Sequence, residues 1–226
     1  MSILEIAANY YQYFLRGTRT TILVALVTVF CGALLGCAIA LMRLSKIKVL
    51  NWFSRLYITV IRGTPMLVQL YIVYFQLDFI KYPSDSIFGV NLERAIPCII
   101  ALSMNSAAYI AEIIRAGIQA VDAGQREASL SLGMTERAIM TKVIFPQAIK
   151  NILPALGNEV IVMIKQTSLA SVFFFVELMT AYKQVQSTTF LALEPLTISG
   201  LIYLFLTVTL SPITRHFEKR MKQNER

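Results

Sequence analysis

Five apolar stretches, each near the length needed to cross a lipid bilayer, constrain this chain more than any other feature. They fall at about 18–42, 65–81, 95–114, 152–178 and 195–211. A helix rises about 1.5 Å per residue, so about 20 apolar residues match a hydrocarbon core roughly 30 Å thick. Lipid offers no partner to backbone N–H and C=O groups, so such stretches are expected as helices. Composition agrees: 56% of the 226 residues are apolar, 15% are charged, and mean hydropathy is +0.62. A soluble domain carries nearer a quarter charged residues. The expected fold is therefore all-α and integral to a membrane. One transmembrane domain covers 1–226, with no inserted soluble domain and no internal repeat.

Two stretches carry further detail. Gly32 and Gly36 stand in G-x-x-x-G spacing, which permits close helix approach. Residues 49–61 read as a helix near the membrane interface. Arg62-Gly63-Thr64-Pro65 follows, with Thr64 suited to a helix N-cap and Pro65 to the first helical position.

Short-loop Lys and Arg residues set orientation. Segments 43–56, 115–150 and 212–226 hold fourteen, against four (Arg16, Lys81, Arg94, Lys183) on the other side. The expectation is N-terminus out and C-terminus in. That distribution accounts for the net charge of +8 without a nucleic acid partner. The first residues lack a basic n-region and a small-residue cleavage site, so no cleavable signal peptide is expected. Cys31, Cys37 and Cys98 lie within apolar runs and read as small buried hydrophobes.

No catalytic constellation is legible. His216, the single histidine, sits in the basic tail among Arg215, Lys219 and Arg220. No His/Cys/carboxylate cluster has metal-ligand spacing, and no G-x-x-x-x-G-K-[ST] loop is present to hold a nucleotide phosphate. No catalytic residue, metal or bound cofactor is expected. Uphill transport by such a chain needs an ion gradient or another subunit.

The 115–150 stretch is too long for a turn. Residues 123–132 and 135–144 have helix-forming composition, Gly133-Met134 interrupts them, and Pro146 closes the second. Two short helices at a glycine hinge make a knob suited to docking. The run Glu127-Ala128-Ser129-x3-Gly133-x9-Val143-x-Phe145-Pro146 resembles the EAA loop of importer permeases of the ATP-binding cassette class, E-A-A-x3-G-x9-I-x-L-P. Ser129, Val143 and Phe145 depart conservatively. R-G-T-P-M-L-V-Q-L (62–70), A-A-Y-I-A-E-I-I-R-A-G-I (107–118), K-Q-T-S-L-A-S-V (165–172), Glu177-Leu178 and Arg215-x-Phe217-Glu218 are similar to motifs of the polar amino acid permease subfamily. That family more often has Asp or Asn where this chain has Gln166.

The resemblance implies a permease subunit of an ATP-driven importer in the bacterial inner membrane. Glu127, Ala128, Ser129, Gly133, Met134 and Pro146 would form coupling helices in a cleft of a separate ATPase, which uses ATP and Mg. The implied partners are that ATPase, a second permease copy or homologue, and an extracytoplasmic amino acid-binding protein. The competing reading is a secondary amino acid transporter driven by an ion gradient.

The 152–178 stretch is too polar for a helix facing lipid. Asn158 and Lys165 are seven apart, as are Glu159 and Gln166, so each pair shares a helical face. Thr167 and Ser168 follow. Ionisable groups in a membrane mark pathways or interfaces, and two readings stand for Glu159 and Lys165: lining a substrate pathway, or holding a permease dimer. Asn105 either faces the pathway or makes an interhelical hydrogen bond. Glu177 either lines the outer vestibule or meets the binding protein. Glu112 and Arg115 form an i,i+3 pair, and Arg62 is placed to anchor to lipid phosphate or to serve the pathway.

Overall fold

The computed structural model describes residues 1–77, 80, 82, 86–87 and 90–223, with the backbone alone at 86, 87, 213 and 215–223. Lys81, set above as the end of the second span, lies outside the described residues. So do the side chains of His216 and of the 215–218 tail pattern.

The chain is helical almost throughout. Helix α1 runs Ile3–Leu44, α2 Lys48–Gly63 and α3 Met66–Gln76. A two-residue antiparallel ladder, β1 (Ser86–Ile87) with β2 (Val90–Asn91), leads into α4 (Leu92–Gln119). Then come α5 (Ala123–Ser131), α6 (Glu136–Ile139), a π-helical turn (Met140–Ile144) and α7 (Phe145–Gln166). A 3₁₀ segment (Thr167–Phe173), α8 (Leu178–Thr189) and α9 (Leu193–Gln223) complete it. Three helical stretches, Ile3–Leu44, Leu92–Gln119 and Leu193–Pro212, are each long and apolar enough to cross a membrane. Two bent pairs bring the number to five if each is one crossing: α2 with α3, bent 110°, and Glu136–Phe173 with α8, bent 46°.

The first helix begins fifteen residues before the apolar stretch does. Ser2 and Glu5 form a reciprocal capping box, Glu5 N–H to Ser2 Oγ at 3.3 Å and Ser2 N–H to Glu5 Oε2 at 2.9 Å. The helix kinks at Tyr10. Ile6 and Phe14 on this leading part pack with Leu178, Ala181 and Val185 of α8 and Ile198 of α9.

Helices α1 and α4 pack side by side and parallel. A Cβ at Gly32 would stand 2.8 Å from Ser106 Cβ, and one at Gly36 2.9 Å from Ala107 O. The G-x-x-x-G spacing is thus used as a groove against the Ser and Ala residues of α4. Helix α7 returns antiparallel, with Glu159 level with Ser106 and Ile152 with Gly117. Helix α9 lies against α7, Thr214 beside Gly157. The core gathers Val24, Ala25, Leu70, Cys98, Leu102, Met163, Ile164 and Phe175. Phe173 stacks on Tyr74 of α3 with ring centroids 4.0 Å apart.

Three sequence expectations need correction. The apolar run 152–178 is not one helix: it passes into the 3₁₀ segment, which stops at Phe174 with φ +53, and Glu177 caps a new helix. Continuous apolarity hid a break that is a matter of backbone conformation. Pro146 does not close the second docking helix either. It falls at the start of α7, just past the π turn, and that wide turn carries the chain from α6 into α7 without a stop. Thr64 does not cap α3. It ends α2, its Oγ1 donating to Val60 O at 2.9 Å.

Candidate functional site

A layer of polar side chains crosses the bundle where α3, α4 and α7 meet. It starts at the α2–α3 elbow, where the last carbonyls of α2 have no intrahelical donor. Gln69 supplies one from the first turn of α3: its Nε2 donates to Ile61 O (2.6 Å), Thr64 O (3.1 Å) and Thr64 Oγ1 (2.8 Å). Its Oε1 accepts from Asn105 Nδ2 on α4 at 2.8 Å. Asn105 is buried, and its Oδ1 has no hydrogen-bond partner among the described residues. The next residue, Ser106, donates to Glu159 Oε1 on α7 at 3.0 Å. Three helices are thereby tied through side chains at one depth.

Glu159 is 5% exposed, and Ser106 is its hydrogen-bond partner among the described residues. A buried carboxylate is stabilised only where cations or several donors surround it. Here one hydroxyl does so, which leaves further acceptor capacity on the carboxylate. The seven-residue pairing in α7 separates as helix geometry requires. Glu159 and Gln166 turn inward, Gln166 with a buried Oε1 that has no partner among the described residues, whereas Asn158 and Lys165 are exposed. Thr167 and Ser168 bond back to Ile164 O and Lys165 O, at 2.8 and 2.6 Å, and serve the start of the 3₁₀ segment.

Gln69 and Ser106 are participants that residue-by-residue reading passed over. The signal for Gln69 was its polarity within an apolar run inside R-G-T-P-M-L-V-Q-L. For Ser106 it was adjacency to Asn105.

About two helical turns nearer the α4 C-terminus lies a charged cluster. Glu112 bonds Arg115, and Arg62 Nη1 stands 3.9 Å from Glu112 Oε1 with its guanidinium 5.2 Å from the Tyr109 ring centroid. Arg62 therefore links α2 to α4 rather than reaching for lipid. Tyr57 O–H reinforces that link, donating to Met104 O at 2.7 Å.

Glu177 stands apart from the layer. It is fully buried and caps α8, accepting from Met179 N (2.8 Å) and Thr180 N (2.6 Å), while Tyr203 O–H donates to Oε2 at 2.9 Å. Leu178 N–H donates to Thr21 Oγ1 at 3.1 Å. Its carboxylate thus joins α8, α9 and, through the neighbouring residue, α1.

The docking knob is built from local chemistry. Asp122 caps α5 at Gly124 N (2.8 Å), and Thr135 caps α6 at Ala138 N (3.3 Å). Between them Gly133 takes φ +76, the left-handed conformation that glycine adopts without penalty. Arg126 bonds Glu136, and Gln147 Nε2 reaches Gln125 Oε1 at 3.3 Å, holding α5 against α6 and α7. Ser129 is buried beneath α5, Met134 half-buried, and Glu127, Ala128 and Pro146 exposed. Leu132 is 82% exposed, a large apolar side chain presented outward at the hinge.

Comparison with known proteins then locates this arrangement. Residues 32–223 match the family described as binding-protein-dependent transport system inner membrane component. The chain is 37% identical over 213 residues to the arginine transport system permease protein ArtQ of Bacillus subtilis (strain 168), 94% of each chain. It is 37% identical over 210 residues to the nopaline transport system permease protein NocM of Agrobacterium fabrum (92% and 87% of the chains). Among solved structures, a chain of an amino acid ABC transporter crystallised with histidines superposes with TM-score 0.89 and 45% identity, over 97% of this chain and 99% of that one. The MetNI methionine ABC transporter, inward facing, gives TM-score 0.74 at 17% identity over 93% and 96%, a likeness of fold.

Proposed function

Because this chain belongs to the binding-protein-dependent transport system inner membrane components, we propose that it is the permease subunit of an ATP-driven importer of polar amino acids. The observation that carries the substrate reading is a pair of under-satisfied acceptors: Glu159, a buried carboxylate with one hydroxyl partner, and Asn105 Oδ1 on the residue before that partner, unpartnered among the described residues. Both accept hydrogen bonds, so the pathway favours a substrate rich in N–H donors. Arginine, nopaline and glutamine, the substrates in the names of its relatives, all present such donors.

The pathway forms between two permease copies or homologues. Asn158 and Lys165 are exposed on one face of α7, and polar groups at membrane depth face a cavity or protein rather than lipid. The knob serves a separate ATPase that consumes Mg-ATP. Glu127, Ala128, Gly133 and Met134, with Leu132 foremost, present the docking surface, Ser129 packs α5 from beneath, and Pro146 seats α7. An extracytoplasmic binding protein delivers substrate. The fourteen-to-four distribution of loop cations supports the knob and C-terminus inside and the N-terminus outside.

Purification from the native membrane in mild detergent, followed by mass spectrometry of what remains bound, tests this reading. The expected result is a co-purifying subunit that carries a nucleotide-binding P-loop, in equal amount to the permease chains. A chain recovered alone under conditions that preserve its fold would contradict it.

A further inference from the structure

Helix α2 is bent 110° from α3, so it runs across the bundle rather than through it. It begins four residues after α1 ends, where the chain leaves its first apolar stretch. Its inner face buries Ser54 and Ile58, the latter packed with Ala40 and Ala111. Its outer face exposes Val49, Trp52, Phe53, Leu56 and Val60, a spacing of three and four that makes one continuous apolar stripe. A helix lying in a membrane interface has this form: an apolar stripe with basic residues beside it.

The start of the helix has an electrostatic peculiarity. A helix N-terminus carries partial positive charge and ordinarily attracts an acidic or capping side chain. Here the N-cap residue is Ile47, with no side-chain cap bond, and the first turn holds no acid. Instead, Lys48 occupies the first helical position. Lys46 and Arg55 stand with it around a cleft of about 460 Å³ that Ser45, Asn51 and Trp52 also line. Arg55 Nε donates to Asn51 Oδ1 at 2.7 Å, and the Asn51 amide donates to Arg43 O. These bonds hold the cleft in shape without neutralising it. Among the described residues, none of the three cations forms an ion pair. Three like charges and a bare helix N-terminus share one concavity.

We propose that the cleft between α1 and α2 is a binding site for the phosphate of an anionic phospholipid. Lys46, Lys48 and Arg55 take the phosphate at the uncapped N-terminus of α2, and the acyl chains lie along the Val49–Phe53–Leu56–Val60 stripe. Trp52 joins the two parts: it lines the cleft and is 62% exposed, an amphipathic ring at the polar–apolar boundary. Phosphate chemistry alone would also admit the free inorganic ion; the stripe beside the cleft selects the lipid.

Native mass spectrometry of the detergent-purified complex, titrated with phosphatidylglycerol or phosphatidylcholine, tests the site. Wild type is expected to retain one phosphatidylglycerol per chain that phosphatidylcholine does not replace. The variant K46S/K48S/R55S is expected to weaken that retention about tenfold or more. The charge-keeping variant K46R/K48R/R55K is expected to retain it, and Trp52→Ala to weaken it without any change of charge. Equal retention by the serine variant, equal retention of phosphatidylcholine, or displacement of the lipid by millimolar inorganic phosphate would overturn the assignment. If the serine variant fails to assemble, the Trp52→Ala and charge-keeping results decide it.

Discussion

Replacing Glu159 with alanine is expected to lower substrate uptake about ten- to hundredfold while leaving the protein inserted in the membrane. A charge-assisted hydrogen bond contributes about 1.5–3 kcal/mol, and each 1.4 kcal/mol is about a factor of ten. Glu159→Gln separates charge from shape. It keeps an acceptor oxygen for Ser106 and for an amide-bearing substrate, but it withdraws the negative charge. A cationic substrate should therefore lose nearly as much with Gln as with Ala, and glutamine much less. Ser106→Ala should cost less than either, because Ser106 orients the carboxylate while Glu159 meets the substrate. Uptake in proteoliposomes with radiolabelled arginine and glutamine measures all three. Unchanged uptake of both substrates in Glu159→Ala would move this residue to a purely structural role between α4 and α7.

Gly133→Val is expected to uncouple the permease from its ATPase. At φ +76 a β-branched residue is strained by about 1–2 kcal/mol or more. Apart from its two chain neighbours, no heavy atom of the described residues lies within 4 Å of where its Cβ would stand. The strain is therefore relieved by local rearrangement of α5 against α6, without disturbing the membrane bundle. The expected result is normal membrane insertion with ATP-driven uptake reduced at least about tenfold. Asparagine tolerates the left-handed region, so Gly133→Asn should retain most activity. Equal loss in the Val and Asn variants would show that hinge geometry is not what matters. Full activity in both would remove the knob from the coupling mechanism.

How far these features were legible in the sequence depended on what kind of physics each expresses. Apolar runs are additive along the chain, so its helical, membrane-embedded character could be read directly. The heptad spacing in α7 was equally transparent, since Asn158 and Lys165 share the exposed face while Glu159 and Gln166 point inward. The elbow and the breaks were not. Phe174 and Phe190 adopt the left-handed conformation as C-caps of the 3₁₀ segment and of α8, a position that ordinarily takes glycine, so no local residue preference announces these ends. The second apolar stretch yields a helix of 11 residues, Met66–Gln76, about half the length needed to cross. The transverse α2 (Lys48–Gly63) precedes it across the elbow. Glu177 shows the same limit from the other direction. Its charge in an apolar run drew attention to a pathway, yet its oxygens are engaged by α8 backbone amides, Thr180 and Tyr203. Only three-dimensional placement distinguishes a cap from a ligand.

The docking element illustrates an intermediate case. Gly133 was identifiable because a positive φ demands glycine, and the structure has it at +76. The end of the second helix was not, because a proline that stops one helix and a proline that starts another look alike in sequence. The π turn at Met140–Ile144 lets the chain pass from α6 into α7 without pause. The knob is therefore continuous with the helix that carries Glu159, and a push on α6 has a rigid path to the buried polar layer about twenty residues away.

The most direct test of the central claim is uptake by the complete complex reconstituted in proteoliposomes, with its binding protein on the outside. Accumulation of amino acid against a gradient is expected only with ATP and Mg in the lumen, and is expected to persist when ionophores collapse every ion gradient. Uptake that proceeds without ATP and disappears with the ionophores would contradict the account and make the chain a secondary transporter.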